Sequence, residues 1–290
     1  MELTARDRRI RFPRRPLIMG ILNINHDSFS GDGRVDQDWA VEKARELVRL
    51  GADIIDVGGE SARTNREAIT PEEELERISP FIKRFSEVSR DVTPRDEEQV
   101  FPPLLSLNTW RPEVAGPALE LGGDILNDMS GLPDDRNAVL CARSGAALLI
   151  MHTMGEPKVS HKHIQYRDVI AEMGDFFEER IARALGAGVS RDAILLDPGI
   201  DFAKQVQDNL RVYREAASLE RFGRPVLLPV SRKSVIGKVL GISNPPDRDV
   251  GTAACIVAGM RRGAGLFRVH NVDMAYRVIT TVHRICGGVS

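Results

Sequence analysis

The chain has 290 residues, 42% of them hydrophobic and 28% charged, and its formal net charge is −2. That length suits either two ordinary domains or one α/β barrel of about 250 residues, and the near-neutral balance argues against a general nucleic-acid or acidic-membrane binder. Cys141, Cys255 and Cys286 lie far apart with no CxxC pair, and no run approaches the roughly 20 apolar residues that cross a bilayer, so a reducing cytoplasmic setting is expected.

Residues 1–16 read as a basic, solvated tail, and residues 17–290 as one domain. The continuous apolar run Leu17 to Leu22 predicts a buried strand, and Asp36 to Leu50 a helix with Ala40, Val41, Ala44, Leu47 and Val48 on one face. Ile54 to Val57 is the second strand. Thr70-Pro71-Glu72-Glu73 then opens a helix with a cap, a first-turn proline and acidic residues facing the dipole. A polar insertion from Arg90 to Gln99 reads as a surface loop before the strand Leu104 to Leu107. A helix over 112–121 leads to the strand Asp124 to Leu126, and a helix over 134–144 to the strand Ala147 to Met151. Helices over 166–187 and 209–222 flank the strand Ala193 to Leu196; Val226 to Leu228 and Leu266 to Val269 complete the set, with helices over 250–262 and 272–285. Gly-Ala or Gly-Gly pairs precede four of the strands, where a helix must stop and turn. Eight strands alternating with helices, without a linker, predict a single (β/α)8 TIM barrel; a doubly wound open sheet is the rival.

In such a barrel the residues just after each strand share one mouth. Here they are polar almost everywhere: Asn23 to Gly33, Gly58 to Arg63, Asn108, Asn127-Asp128, His152, Asp197-Pro198-Gly199, Ser231-Arg232-Lys233-Ser234 and Arg268-Val269-His270-Asn271. Asn108, Asn127 and Asp197 suit a flat heterocycle with adjacent donors and acceptors, since a carboxylate accepts two N–H bonds from an amino-amidine edge. Arg63, Arg268 and His270 suit a phosphate or diphosphate, and Lys233 could serve either group. Asn and Asp oxygens after the first strand suit Mg²⁺, although turn chemistry explains them as well. Asp56 lies inside an apolar strand and needs a partner. No nucleophile with an evident base, no Cys/His zinc pattern and no Walker-type loop is present, so the set looks built to bind a heterocycle and stabilise a departing anion. His161-Lys162-His163 fits a solvated loop better than a metal site, and Trp110 could roof the mouth or pack on a helix.

Six segments in order, Met19 to Ser30, Gly51 to Ser61, Leu126 to Asp128, Asp197 to Ile200, Ser231 to Ser234 and Arg268 to His270, resemble the dihydropteroate synthases over residues 17–285. The resemblance implies condensation of 6-hydroxymethyl-7,8-dihydropterin diphosphate with 4-aminobenzoate by dissociative loss of diphosphate. It implies that Asn108, Asn127, Asp197, Lys233 and Met151 line the pterin pocket, with Lys233, Asp197 and Asn108 nearest the chemistry. Asn23, Arg268 and His270, with Mg²⁺, are implied for diphosphate, and Arg63 and Ser234 for the diphosphate and aminobenzoate sites. A homodimer through the last helices is also implied, and Ile256, Met260, Val278 and Val282 offer apolar positions for it. The sequence departs from the family pattern at Asn108 and Asn271, where Asp is usual, at Asn25-His26 for Thr-Pro, at Ala62 for Thr, and at Thr64-Asn65 for Pro-Gly. Two other readings fit the same residues: a pterin-binding methyltransferase-like barrel, and a low-activity or non-catalytic paralogue marked by Asn108.

Overall fold

The computed structural model describes residues 1–24, 37–60, 68–159 and 164–287. After a hairpin of β1 (Glu2–Ala5) and β2 (Arg8–Arg11), eight parallel strands follow: β3 (Leu17–Asn23), β4 (Ile54–Gly58), β5 (Leu104–Asn108), β6 (Ile125–Asp128), β7 (Ala147–Met151), β8 (Ile194–Asp197), β9 (Leu227–Leu228) and β10 (Leu266–Val269). Their order, β8-β7-β6-β5-β4-β3-β10-β9, is that of an unrolled ring, and a parallel bridge between Leu196 and Val226 draws β8 to β9. The ring is a (β/α)8 barrel, as the alternation of elements requires.

Around it run α1 (Gln37–Arg49), α2 (Pro71–Lys83), α3 (Pro112–Leu121), α4 (Arg136–Ser144), α5 (Val169–Gly186), α6 (Val206–Glu215), α7 (Ser234–Leu240), α8 (Asp249–Met260) and α9 (Val272–Ile285). Local chemistry sets their ends. Thr70 caps α2 in a reciprocal capping box with Glu73, and Asp168 caps α5 by accepting from the Ile170 and Ala171 amides. Gly51, Gly122, Gly145 and Gly263, before four of the barrel strands, all hold positive φ, which an L side chain resists. The predicted helix over 209–222 instead splits into α6 and a tighter 3₁₀ stretch, Ala216–Phe222.

Residues 1–16 are not a solvated tail. In β1 and β2 the side chains alternate, so Leu3, Ala5 and Ile10 are buried in the core while Arg9 and Arg11 face outward. Arg15 has no solvent access and meets Asp53 at 3.2 Å. The Arg90 to Gln99 insertion is likewise tied down: Gln99 Nε2 donates to the Val48 and Ala52 carbonyls, and Tyr276 Oη donates to Asp96 at 2.8 Å. Both segments seal the amino ends of the strands. Ile256, one of the apolar positions offered for a homodimer, is fully buried against the barrel.

Register carries the polar residues to the other end. Asp56 pairs with Ser106, Asn108 with Asn127, and Met151 with Asp197, each at or near the carboxyl end of its strand. The two-residue period then aims Asp56, Ser106, Asn108, Asn127 and Arg268 toward the barrel axis.

Candidate active site

Asp56 is the hub. Fully buried, it costs several kcal/mol unless paired. It accepts from Ser106 Oγ at 2.6 Å, Asn108 Nδ2 at 3.1 Å, Asn127 Nδ2 at 3.1 Å and Arg268 Nε at 2.7 Å. Four strands thereby meet on one carboxylate. Asn108 and Asn127, two of the three heterocycle candidates, are fixed with their amide N–H groups turned to Asp56. The Asn108 Oδ1 is left buried with no hydrogen-bond partner, an acceptor waiting for a donor. Arg268 spends its Nε on Asp56, and among the described residues its terminal nitrogens meet no acceptor.

Across the mouth stands Asp197, which accepts the Gly199 amide at 2.7 Å. Burial raises its carboxyl to about 6, against the pull of that amide and of the cations Lys233, Lys204 and Arg268. Lys233, the residue before α7, donates to the Ile200 carbonyl at 2.8 Å and stands 5.0 Å over the Phe202 ring. Burial lowers its pKa, with Asp201 and Asp197 opposing. Ser234 begins α7 at the surface; its amide and that of Val235 donate to Asp201. His270 Nδ1 shares a 2.8 Å hydrogen bond with Ser231 Oγ, which also accepts the His270 amide, so the ends of β9 and β10 are joined. Met151 is buried beside Asp197, while Asn23 is exposed where β3 ends.

The structure thus gathers Asn108, Asn127 and Arg268 on Asp56, and sets Asp197 within electrostatic reach of Lys233. Arg63, the loop from Asn25 to Gly33, Ala62, Thr64-Asn65 and His161-Lys162-His163 lie outside the described residues. His152 is not a mouth residue: it packs edge-on to Phe176 at 4.9 Å, and burial drives its pKa down to about 2. Trp110 carries the Arg111 guanidinium over its ring at 4.7 Å, and Arg111 in turn bridges Glu60 and Glu74. Among the described residues, no group of three or more His, Cys, Asp and Glu side chains is placed to hold a metal ion.

The pterin-binding enzyme family model matches residues 19–270. A dihydropteroate synthase of Synechocystis sp. is 37% identical over 262 residues, covering 90% of this chain and 86% of its own length. The chain belongs to the dihydropteroate synthase family. Among solved structures, a Xanthomonas albilineans dihydropteroate synthase with 4-aminobenzoic acid superposes with a TM-score of 0.86 at 32% identity, covering 99% of this chain and 98% of that one. A Thermus thermophilus dihydropteroate synthase in complex with 6HMPPP does so with a TM-score of 0.81 at 33% identity, covering 98% and 100%.

Two departures from the dihydropteroate synthase pattern now have a physical setting. Asn271 caps α9 through Oδ1 and donates Nδ2 to Asp249, which also holds Arg232 through two nitrogens. An Asp at 271 has no hydrogen to give Asp249 and would repel it. Asn108 likewise donates to Asp56, as an ionised Asp cannot. In the sequence Asp56 stands out as a charge in an apolar strand that could make good the one missing at Asn108, whereas Phe202 and Lys204 give no comparable signal. Lys204 Nζ donates to three carbonyls, those of His152, Gly199 and Phe202, at 3.1–3.2 Å. Burial pulls its pKa to about 7. Its only signal in the sequence is a lysine seven residues past Asp197, which is weak.

Proposed function

We propose that this mouth condenses 6-hydroxymethyl-7,8-dihydropterin diphosphate with 4-aminobenzoate, giving 7,8-dihydropteroate and diphosphate. The observation that carries the reading is the opposed pair of walls: Asp56 with its oriented amides on one side, and Asp197 with Lys233 on the other. Asp197, ionised above about pH 6, accepts two N–H bonds from the amino-amidine edge of the pterin. Asn108 Oδ1 accepts a further ring N–H, and Lys233 donates to a ring acceptor. Met151 supplies the apolar floor beside them.

The exocyclic C–O bond breaks first, and its electron pair leaves with the diphosphate. Arg268, through its terminal nitrogens, and His270 neutralise the departing anion, with Arg63 and Ser234 as further candidates for the diphosphate and aminobenzoate. The positive charge left on the pterin methylene faces the carboxylates of Asp56 and Asp197, a fixed arrangement that lowers the barrier to ionisation. The aryl-amine nitrogen then forms the new C–N bond and loses a proton. Asn23, an exposed residue that can offer Mg²⁺ only one side-chain oxygen, would hold the ion only together with substrate phosphate oxygens and water, a usual way of holding it. Such an ion would add positive charge at the leaving group. A homodimer and a cytoplasmic setting complete the reading; Val250 and Ile285, on the last two helices and 83% and 78% exposed, offer the apolar surface.

Diphosphate release by the purified protein, with and without 4-aminobenzoate, tests the assignment. Release that is sustained over many turnovers only with the aryl amine, and that then yields dihydropteroate, is expected, with Lys233→Ala reducing it by about a thousandfold. Pterin binding without any release would leave the non-catalytic paralogue, and methyl transfer from a methylated folate the methyltransferase reading.

A further inference from the structure

Lys204 answers to nothing in the reaction just described, yet it is a costly residue. Its ammonium is enclosed by three backbone carbonyls, and desolvation has taken more of its basicity than Asp197, Asp208 and Asp201 return, with Lys233 adding to the loss. An apolar side chain of the same length would fill the space without that penalty. Perturbed cations of this kind concentrate where function needs them.

What the ammonium holds is the loop after β8. That loop is awkwardly folded: Gly199, Asp201 and Ala203 have φ of 66°, 69° and 50°, two of them non-glycine residues in the left-handed region. A Cβ on Gly199 would come within 2.0 Å of the His152 carbonyl, so the loop passes hard against the end of β7. Lys204 ties both sides of this crossing, His152 on β7's side and Gly199 and Phe202 on the loop's. All three ammonium protons are used, one per carbonyl. The same loop carries the Ile200 carbonyl and the Phe202 ring, and these are the two groups on which Lys233 rests.

We propose that Lys204 is a positioning residue that acts through Lys233: it clamps residues 199–203 so that Ile200 and Phe202 hold the Lys233 ammonium at the pterin wall. The inference rests on the pterin-binding reading of the mouth, which supplies the ligand for its test.

A double-mutant cycle reads the coupling, with binding of 6-hydroxymethyl-7,8-dihydropterin diphosphate in the absence of aryl amine measured by calorimetry. Lys204→Met weakens binding about tenfold in the wild-type background and less than twofold in the Lys233→Met background, because the residue through which it acts is gone. An equal loss in both backgrounds, or no loss in either, overturns the proposal. If Lys204→Met does not fold, Lys204→Gln, which keeps two N–H donors, takes its place in the cycle. A crystal structure of the variant gives a second, ligand-independent readout: Lys233 should leave the Ile200 carbonyl, and its retention there at 2.8 Å also overturns the proposal. Wild-type protein that fails to bind the pterin would end the functional reading, and the clamp would then be judged on that structure alone.

Discussion

Asp53 and Asp56 lie three residues apart, both without solvent access and each against an arginine, yet they face opposite ends of the barrel. Asp53 is finished: it accepts the Ile18 and Val100 backbone amides, each at 2.8 Å, and the guanidinium of the equally buried Arg15. Among the described residues Asp56 is bonded only by side chains, from Ser106, Asn108, Asn127 and Arg268, and of these Asn108 keeps its Oδ1 and Arg268 its terminal nitrogens unused. Backbone donors close a site and leave nothing for a ligand. Side-chain donors with spare valence pass the charge of one carboxylate on to a surface where a substrate can use it.

Neutralising each carboxylate separates the two roles. Asp53→Asn leaves the buried Arg15 cation only the longer pair with Asp96, at 3.7 Å, and loss of one partner of a buried pair costs about 3–5 kcal/mol. Urea unfolding should show that loss, while turnover per folded molecule stays within about twofold. Asp56→Asn should do the reverse, lowering turnover by about a hundredfold for a smaller loss of stability, because Arg268 keeps access to water. If Asp53→Asn slows the folded enzyme as much as Asp56→Asn does, the division between the two ends is wrong.

Asp197 sharpens the contrast through pH. Its carboxyl sits near 6 in the folded protein against about 3.9 in an unfolded chain. A raised value means that ionising Asp197 costs the fold, so its contribution to stability declines as pH rises from about 4 to about 6. Binding moves the other way: only the carboxylate accepts two N–H bonds, so the pterin dissociation constant should rise about tenfold for each pH unit below 6. Asp197→Asn should flatten that dependence. Binding that is unchanged between pH 6 and pH 5 would remove Asp197 from the pterin edge.

Much of this was legible in the chain. Continuous apolar runs such as Leu17 to Leu22 are too short for typical helices and read as strands buried on both faces, and in a barrel the polar groups that end them share one mouth. The hairpin was hidden because Arg8, Arg9 and Arg11 mask the alternation that buries Leu3, Ala5 and Ile10, a period too short to stand out against that much charge. His152 follows its strand as the others do, but the aromatic pair Phe176 and Phe177 on α5 captures it, a tertiary contact with no trace in local sequence. Asp56 was visible as an anomaly, whereas its four partners come from three other strands. Lys204 is the extreme case, because its partners are backbone carbonyls and those carry no side-chain signature at all.

The smallest expected effect concerns Asn108. A missing negative charge about 5 Å from a developing cation is worth on the order of 3 kcal/mol at an effective dielectric of 20, so Asn108→Asp could be expected to accelerate the reaction strongly. The structure argues otherwise. Asn108 Nδ2 lies 3.1 Å from Asp56 Oδ2, and a carboxylate placed there would crowd a second negative charge against the first. Two carboxylates that close cannot both ionise near neutrality, and the pair would hold one proton between them. The variant would therefore present the same single charge to the pterin as the wild type. Turnover should change by less than about threefold at pH 7, and a new ionisation should appear on the alkaline limb as the shared proton is lost. A tenfold rise at pH 7 without that ionisation would mean that both carboxylates are charged together, and that Asp56 alone does not supply the charge the cation needs.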